Sequence, residues 1–392
     1  MIKVVFVSNY FNHHQSSFSD AMFRRADTDY HFIETVPMEA ERKNMGWSAE
    51  NRPPYVLPAY ESDAVRERCG KILLEADIAI MGDAPDAWVA PRHRAGKFVF
   101  RYSERFYKNG CPKWQIPLRF VKNYFRFNRF RNDYMLCASA FTAADAAVTR
   151  SYVGKSYRWG YFPEAKRYEL SALFARKRSN PVVTILWAGR HLDWKHPDYA
   201  VAAAEYLKAR QLPFTLRLIG TGEMEDELRA MIREKGLSDC VEMPGAMTPA
   251  EVRAHMEGAD IFLFTSDRRE GWGAVLNESM NSACAVVASH AIGSVPFLIR
   301  DGENGFIYRD GDVSQLSEIV AGLVRDRDLR ERVGKAAYES IIGEWNAEIA
   351  AERLVALYED LSANGSSTLF RDGPCSPAPM IQDGWYHNDR DS

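Results

Sequence analysis

The feature that most restricts the fold is a rhythm in the second half of the chain. Between Val182 and Ser289, short apolar runs alternate with stretches of helical spacing, five times in about 110 residues. Val182–Ala188, Phe214–Ile219, Val241–Met243, Ile261–Thr265 and Ala285–Ser289 read as strands. Asp198–Leu207, Met224–Lys235, Pro249–Glu257 and Ala274–Ala283 read as the helices between them. Thr248 with Glu251 three residues on forms a capping box at the start of one helix. Strands that alternate with helices in this way form a parallel sheet with helices on its faces.

The first half follows the same plan less regularly. Val4–Ser8 reads as a buried strand, and Ser17–Arg25 carries Phe18, Met22 and Phe23 at helical spacing. Further strands are expected at Tyr30–Thr35, Ile78–Met81, Phe98–Tyr102 and Tyr134–Ala138, with helices at Val65–Glu75 and Thr142–Tyr152. A chain of 392 residues is too long for one core, so two Rossmann-like doubly wound α/β domains are expected. The charged stretch 166–180 reads as the linker between them. Helical spacing returns at Val313–Val324, Leu329–Ile341 and Ala347–Leu361. The last residues, 363–392, are rich in Gly, Ser, Pro and Asp and read as a flexible tail.

Several function classes are disfavoured at this level. The loop after the first strand, SNYFNHHQSS, lacks the G-x-G-x-x-G of dinucleotide binding. The net charge of −3 gives no global field for nucleic acid. Six cysteines without C-x-x-C spacing argue against a zinc site and a disulfide framework. The opening apolar run of about five residues falls short of a signal peptide or a membrane helix, so a cytoplasmic location is expected.

The chemistry concentrates in DRREGWGAVLNE, Asp267 to Glu278. A strand ends, a loop carries Glu270 and Gly271-Trp272-Gly273, and a helix begins near Ala274. In open α/β folds ligands bind at the carboxyl ends of the strands. Glycine amides and a helix N-terminus there favour an anion such as a diphosphate. Glu270 and Glu278, with seven residues between them, can both accept hydrogen bonds from ligand hydroxyls.

This E-x(7)-E pattern resembles the donor-site motif of the retaining glycosyltransferases of family 4, also called glycosyl transferases group 1. Other pieces agree in order: Gly189-Arg190 followed by Lys195, Gly220-Thr221-Gly222 after a strand, the segment ending in Gly245, and IGSVPFLIRDGENGFIYRDGD. The resemblance covers about residues 182–343. It implies the GT-B architecture, two Rossmann-like domains with a cleft between them. Residues 1–165 would form the acceptor-side domain and 181–343 the donor domain, with 344–362 a helix crossing back to the first domain.

Carried over by residue, Glu270, Arg190 and Lys195 would be catalytic, Glu270 holding sugar hydroxyls and the two cations neutralising the leaving diphosphate. Glu278, Gly271, Trp272, Gly273, Gly220, Gly222 and Gly245 would bind the donor. No metal and no cofactor beyond the nucleotide-sugar substrate are implied. The acceptor domain departs from the family: the glycine loop after the first strand is replaced by Asn9–Ser17, and KFVFRYSER lacks the usual histidine. Asn12, His13, His14 and Glu104 are the acceptor-side candidates.

Residues 105–132 hold eight Lys or Arg, eight aromatics and no Asp or Glu. That composition suits peripheral contact with an anionic membrane, such as the inner face of the plasma membrane, and also suits a lipid-linked acceptor. A helix with aromatic core residues and solvated cations has the same composition. The expected activity is transfer of a sugar from a UDP- or GDP-linked donor to a carbohydrate or lipid-linked acceptor with retained configuration, in surface polysaccharide or glycolipid assembly. A UDP-sugar 2-epimerase on the same fold, or a non-catalytic sugar-nucleotide-binding partner, are the alternatives.

Overall fold

The computed structural model describes residues 1–39 and 52–386. They divide into two compact units, Met1–Glu164 with Asn346–Gln382, and Ala165–Trp345 with the segment from Asp383 onward.

The first unit contains strands β1 (Ile2–Ser8), β2 (Thr28–Glu34), β3 (Val56–Pro58), β4 (Ile78–Met81), β5 (Val99–Ser103), β6 (Asp133–Cys137) and β7 (Ser156–Arg158). They form a parallel sheet in the order β3-β2-β1-β4-β5-β6-β7. Val5, Val7, Ile33, Ala79, Met81 and Val99 pack one face of it against Cys69 and Leu73 of the helix Asp63–Glu75. Arg92 is fully buried, and its guanidinium donates to the carbonyls of Leu73, Ala76, Asp77 and Phe98. Two of these lie at the end of that helix, where carbonyls lack intrahelical partners.

The second unit contains β8 (Val183–Ala188), β9 (Phe214–Ile219), β10 (Val241–Gly245), β11 (Ile261–Phe264), β12 (Ala285–Ser289) and β13 (Phe306–Tyr308). Their order is β10-β9-β8-β11-β12-β13, all parallel. Both units are thus Rossmann-like α/β domains. Ile185, Leu216, Leu218, Leu263 and Val287 pack against Val201, Leu207, Leu228 and Val320 from the covering helices. Each such side chain removed from water contributes about 1.5–3 kcal/mol. The capping box at Thr248 is present: the hydroxyl accepts from Glu251 N, and the Glu251 carboxylate accepts from Thr248 N.

Two segments, 166–180 and 363–386, differ from expectation. Residues 166–180 hold a helix, Leu170–Arg178, rather than an open linker. Leu173 and Phe174 pack with Ala283 and Tyr338, and buried Lys177 donates to the Ala283 carbonyl at 2.8 Å, so the segment belongs to the second unit. The helix Ala347–Asn364 belongs to the first unit, where it packs on the helix His13–Arg24. The stretch 363–386 is not loose. Cys375 N donates to Arg158 O and Arg158 N to Ser376 O, so this segment pairs antiparallel with edge strand β7. It blunts an edge that would otherwise offer unpaired backbone groups.

Candidate functional site

In the second unit the strand order reverses between β8 and β11, and the topological switch point of an open α/β sheet is where ligands bind. The loops after these two strands carry Lys195 and Glu270. Lys195 Nζ donates to Glu270 Oε2 at 2.6 Å, and both side chains are largely buried, 17% and 13% exposed. Ser266 Oγ donates to the same carboxylate oxygen at 3.1 Å.

The pair is held by the strands below it. Trp187 Nε1 donates to Thr265 Oγ1, and Thr265 in turn lies 2.7 and 2.8 Å from the carbonyls of Lys195 and His196. Asp267 N donates to Trp194 O at 2.9 Å. The turn Asp193–Lys195 is thereby stapled to the end of β11. Lys195 Nζ also lies over the Trp194 ring, 4.6 Å from its centroid.

The glycine loops form the neighbouring wall. Gly189 N donates to Ile219 O, His191 N to Thr221 O, and Gly220 N to Gly245 O. These bonds tie together the ends of β8, β9 and β10, with Gly222 following in the same loop. Gly220 has φ +138°, and a Cβ there would fall 1.8 Å from the Gly189 carbonyl oxygen, so no other residue fits without moving the loop. Arg190 is exposed beside Gly189.

In the motif loop, Gly273 has φ +82°, and a Cβ would meet the Phe264 ring at 2.2 Å. Gly271 is buried just after Glu270. The Trp272 indole is fully buried, donates to Asn277 Oδ1 at 2.9 Å and packs with Phe297 and Trp345 in the core. Glu278 sits in the helix Val275–Asn281. Burial raises its carboxyl above the usual range, while the charges of Arg253 and Lys166 pull the other way.

His191 went unnoticed in the sequence, although it lies inside the Gly189…Lys195 stretch. Its side chain is fully buried, neither ring nitrogen has a hydrogen-bond partner among the described residues, and burial lowers its pKa.

The first unit gathers three of its four acceptor-side candidates, His13, His14 and Glu104. Tyr161 stacks on His14 with ring centroids 5.1 Å apart, and its hydroxyl donates to Glu104 Oε1 at 2.7 Å. Lys108 Nζ donates to the other oxygen of Glu104 at 2.8 Å. Burial first, then the neighbouring His13, pushes the His14 pKa down to about 3. His13 is exposed and lies against His14. Asn12 is buried and caps the helix His13–Arg24: its side-chain Oδ1 accepts from His14 N, and its backbone N–H donates to Gln15 Oε1. No group of three or more His, Cys, Asp or Glu with metal-holding geometry occurs among the described residues.

Two parallel α/β units with the liganding edge of the second built from glycine loops, a cation and an acid define a fold of the GT-B type. Residues 174–340 match the family model of glycosyl transferases group 1, so the second unit carries a domain of that family. A putative colanic acid biosynthesis glycosyltransferase WcaL of Salmonella typhimurium is 31% identical over 168 residues, covering 41% of each chain. The amylovoran biosynthesis glycosyltransferase AmsK of Erwinia amylovora is 29% identical over 210 residues, 52% of this chain and 50% of its own. The chain thus spans about half the length, or less, of these curated relatives. Among solved structures, Anabaena HepE in complex with UDP aligns with TM-score 0.65 at 15% identity, over 93% of this chain and 100% of that one. A glycosyltransferase from Rickettsia africae aligns with TM-score 0.65 at 13% identity, over 93% and 99%.

Proposed function

We propose that this chain is a retaining glycosyltransferase that moves a sugar from a nucleoside diphosphate sugar, UDP- or GDP-linked, to an acceptor hydroxyl. The observation that carries the reading is the Lys195–Glu270 pair at the switch point of the second sheet, set between glycine loops. A cation, closely approachable glycine backbone and an acid within one small region suit a diphosphate joined to a polyhydroxyl ring.

In this reading Arg190 and Lys195 neutralise the diphosphate as the bond from its oxygen to the anomeric carbon breaks. Glu270 holds hydroxyls of the sugar, and Glu278 holds the ribose. The amides of Gly271 and Gly273, with the loops at Gly220, Gly222 and Gly245, admit the ligand close to the backbone. The acceptor oxygen bonds to the anomeric carbon on the face the phosphate leaves, and its proton passes to the departing phosphate oxygen. His14 and Glu104, joined through Tyr161, are the acceptor-side groups. The acceptor is a carbohydrate or a lipid-linked glycan of surface polysaccharide or glycolipid assembly, as the names of WcaL and AmsK suggest for those relatives.

The test is release of nucleoside diphosphate from each UDP- and GDP-sugar, with and without membrane-extracted acceptor, followed by proton NMR of the product. Acceptor-dependent release with an unchanged anomeric configuration supports the reading. An inverted product, or conversion of the donor sugar into its 2-epimer without transfer, contradicts it.

A further inference from the structure

The large apolar side chains left exposed on the molecule concentrate in one place. Trp114 is 72% exposed, Leu118 69%, Val121 54% and Phe125 58%, with Phe106, Phe120 and Tyr124 exposed beside them. The four most exposed are spaced by four, three and four residues along Lys113–Gln115, the helix Ile116–Asn123 and the turn Tyr124–Asn128 that continues it. That spacing puts them along one side of the helix. The opposite side holds the element to its unit. Asn123 Nδ2 donates to Thr149 Oγ1 at 2.9 Å, and buried Phe127 stacks on Tyr152 with centroids 4.9 Å apart. The helix is anchored by one face and presents an apolar stripe on the other.

Charge says what covers that stripe. Residues 105–132 contain no Asp or Glu. Lys113, Lys122 and Arg129 lie exposed around it, and none of them makes an ion pair with a described residue. Arg129 lies over the rings of Phe125 and Phe130, 5.6 and 4.8 Å from their centroids, so the cations and the aromatics share one surface. A soluble protein partner with an apolar groove would not need a cationic border free of acids in the same stretch. A bilayer with anionic headgroups needs both parts: apolar side chains that enter the acyl boundary, and cations at headgroup level. Trp and Tyr are the aromatics that settle at such an interface. No helix among the described residues is long and apolar enough to cross a membrane.

We infer that Trp114, Leu118, Val121 and Phe125 form an interfacial anchor that seats the first unit on an anionic lipid surface, with Lys113, Lys122 and Arg129 at the headgroups. This deepens the reading of a lipid-linked acceptor, and rests on it for its purpose but not for its physics. Binding to lipid is measured without donor or turnover, so failure of one is distinguishable from failure of the other.

The experiment is flotation of the full chain with vesicles of phosphatidylcholine, and of phosphatidylcholine mixed with phosphatidylglycerol, at low and high salt. The anchor predicts binding about tenfold or more stronger to the anionic vesicles, weakened by salt. Leu118→Ser with Phe125→Ser abolishes it, and Lys122→Glu with Arg129→Glu removes the preference for anionic lipid. Unchanged melting temperatures show that the variants fold. Absence of binding to anionic vesicles at low salt overturns the inference, as does binding indifferent to the Leu118 and Phe125 substitutions. A dimer in solution that L118S/F125S dissociates, with no lipid binding, assigns the face to a second copy and overturns it as well.

Discussion

Lys195 Nζ stands 2.6 Å from Glu270 Oε2, linking the loop after β8 to the loop after β11 across the point where the strand order reverses. In the ligand-free protein each group satisfies the other. In the proposed function a diphosphate arriving beside them competes for the ammonium and releases the carboxylate toward sugar hydroxyls. Lys195→Met is expected to lower turnover about 100-fold or more, because charge that develops on the leaving group loses its partner. Lys195→Arg keeps the charge on a differently shaped group and recovers only part of the rate. Steady-state kinetics with the preferred donor checks both, and a parental rate for Lys195→Met contradicts the assignment.

Glu278 gives the opposite signs for stability and binding. Burial raises its folded pKa above the ordinary 4.5 against the pull of Arg253 and Lys166. A carboxyl with a raised folded pKa stabilises the fold fully below its unfolded value, and that contribution is lost as pH rises through the folded one. At neutral pH the ionised group therefore disfavours the ligand-free fold. Glu278→Gln is expected to melt higher than the parent at pH 7 without ligand, with the gap closing in acid. The same variant binds the donor about tenfold more weakly, because an amide accepts less strongly from ribose hydroxyls. Melting curves across pH and a donor titration measure the two effects separately.

Gly220 and Gly236 form a matched comparison. Both have positive φ, +138° and +64°, but a Cβ at Gly220 would stand 1.8 Å from the Gly189 carbonyl oxygen, whereas at Gly236 nothing lies within 4 Å. Gly236→Ala should cost only the left-handed strain, about 1–2 kcal/mol. Gly220→Ala must displace the loop that joins β8, β9 and β10, and should cost about 2 kcal/mol or more and abolish donor binding. Chemical denaturation of the two variants tests the contrast.

His191 is a buried imidazole with no partner for either nitrogen among the described residues. Each unsatisfied buried polar group costs about 1–3 kcal/mol, so His191→Leu is expected to stabilise the protein. Burial lowers the folded pKa below 6.5, so the unfolded chain takes up the proton first, and stability falls as pH drops below about 6.5. In the leucine variant that part of the acid slope disappears. Denaturant midpoints at pH 7.5 and 5.5 give the comparison. A leucine variant less stable at both would show that the imidazole is satisfied in solution.

What could be read from the sequence follows from how local each signal is. The capping box at Thr248 involves residues three apart and was legible at once, and the position of Lys195 and Glu270 after strands was legible because the apolar runs before them are unmistakable. Strands β3, β7 and β13 have three residues each, too short to show a period. Trp272 and Asn12 read as candidate site residues in the sequence; in the structure the Trp272 indole fills the core against Phe297 and Trp345, distant in sequence, and Asn12 caps the helix that follows it. The final segment has the composition of a disordered tail, but its backbone pairs with β7, and backbone pairing needs little from side chains. The exposed apolar stripe was legible as composition, while its exposure depended on which side of the helix Asn123 and Phe127 anchor.

The most direct measurement is a thermal-shift titration of the full chain with UDP, GDP, ADP and their sugars, run beside Lys195→Met. A ligand that binds only the folded state raises the melting temperature by mass action. The account predicts that one nucleotide class, UDP or GDP, stabilises the parent, that its sugar conjugate stabilises further, and that Lys195→Met loses most of the shift. No shift with any nucleoside diphosphate or nucleotide-sugar at millimolar concentration would contradict the donor site, as would a shift that the substitution leaves unchanged.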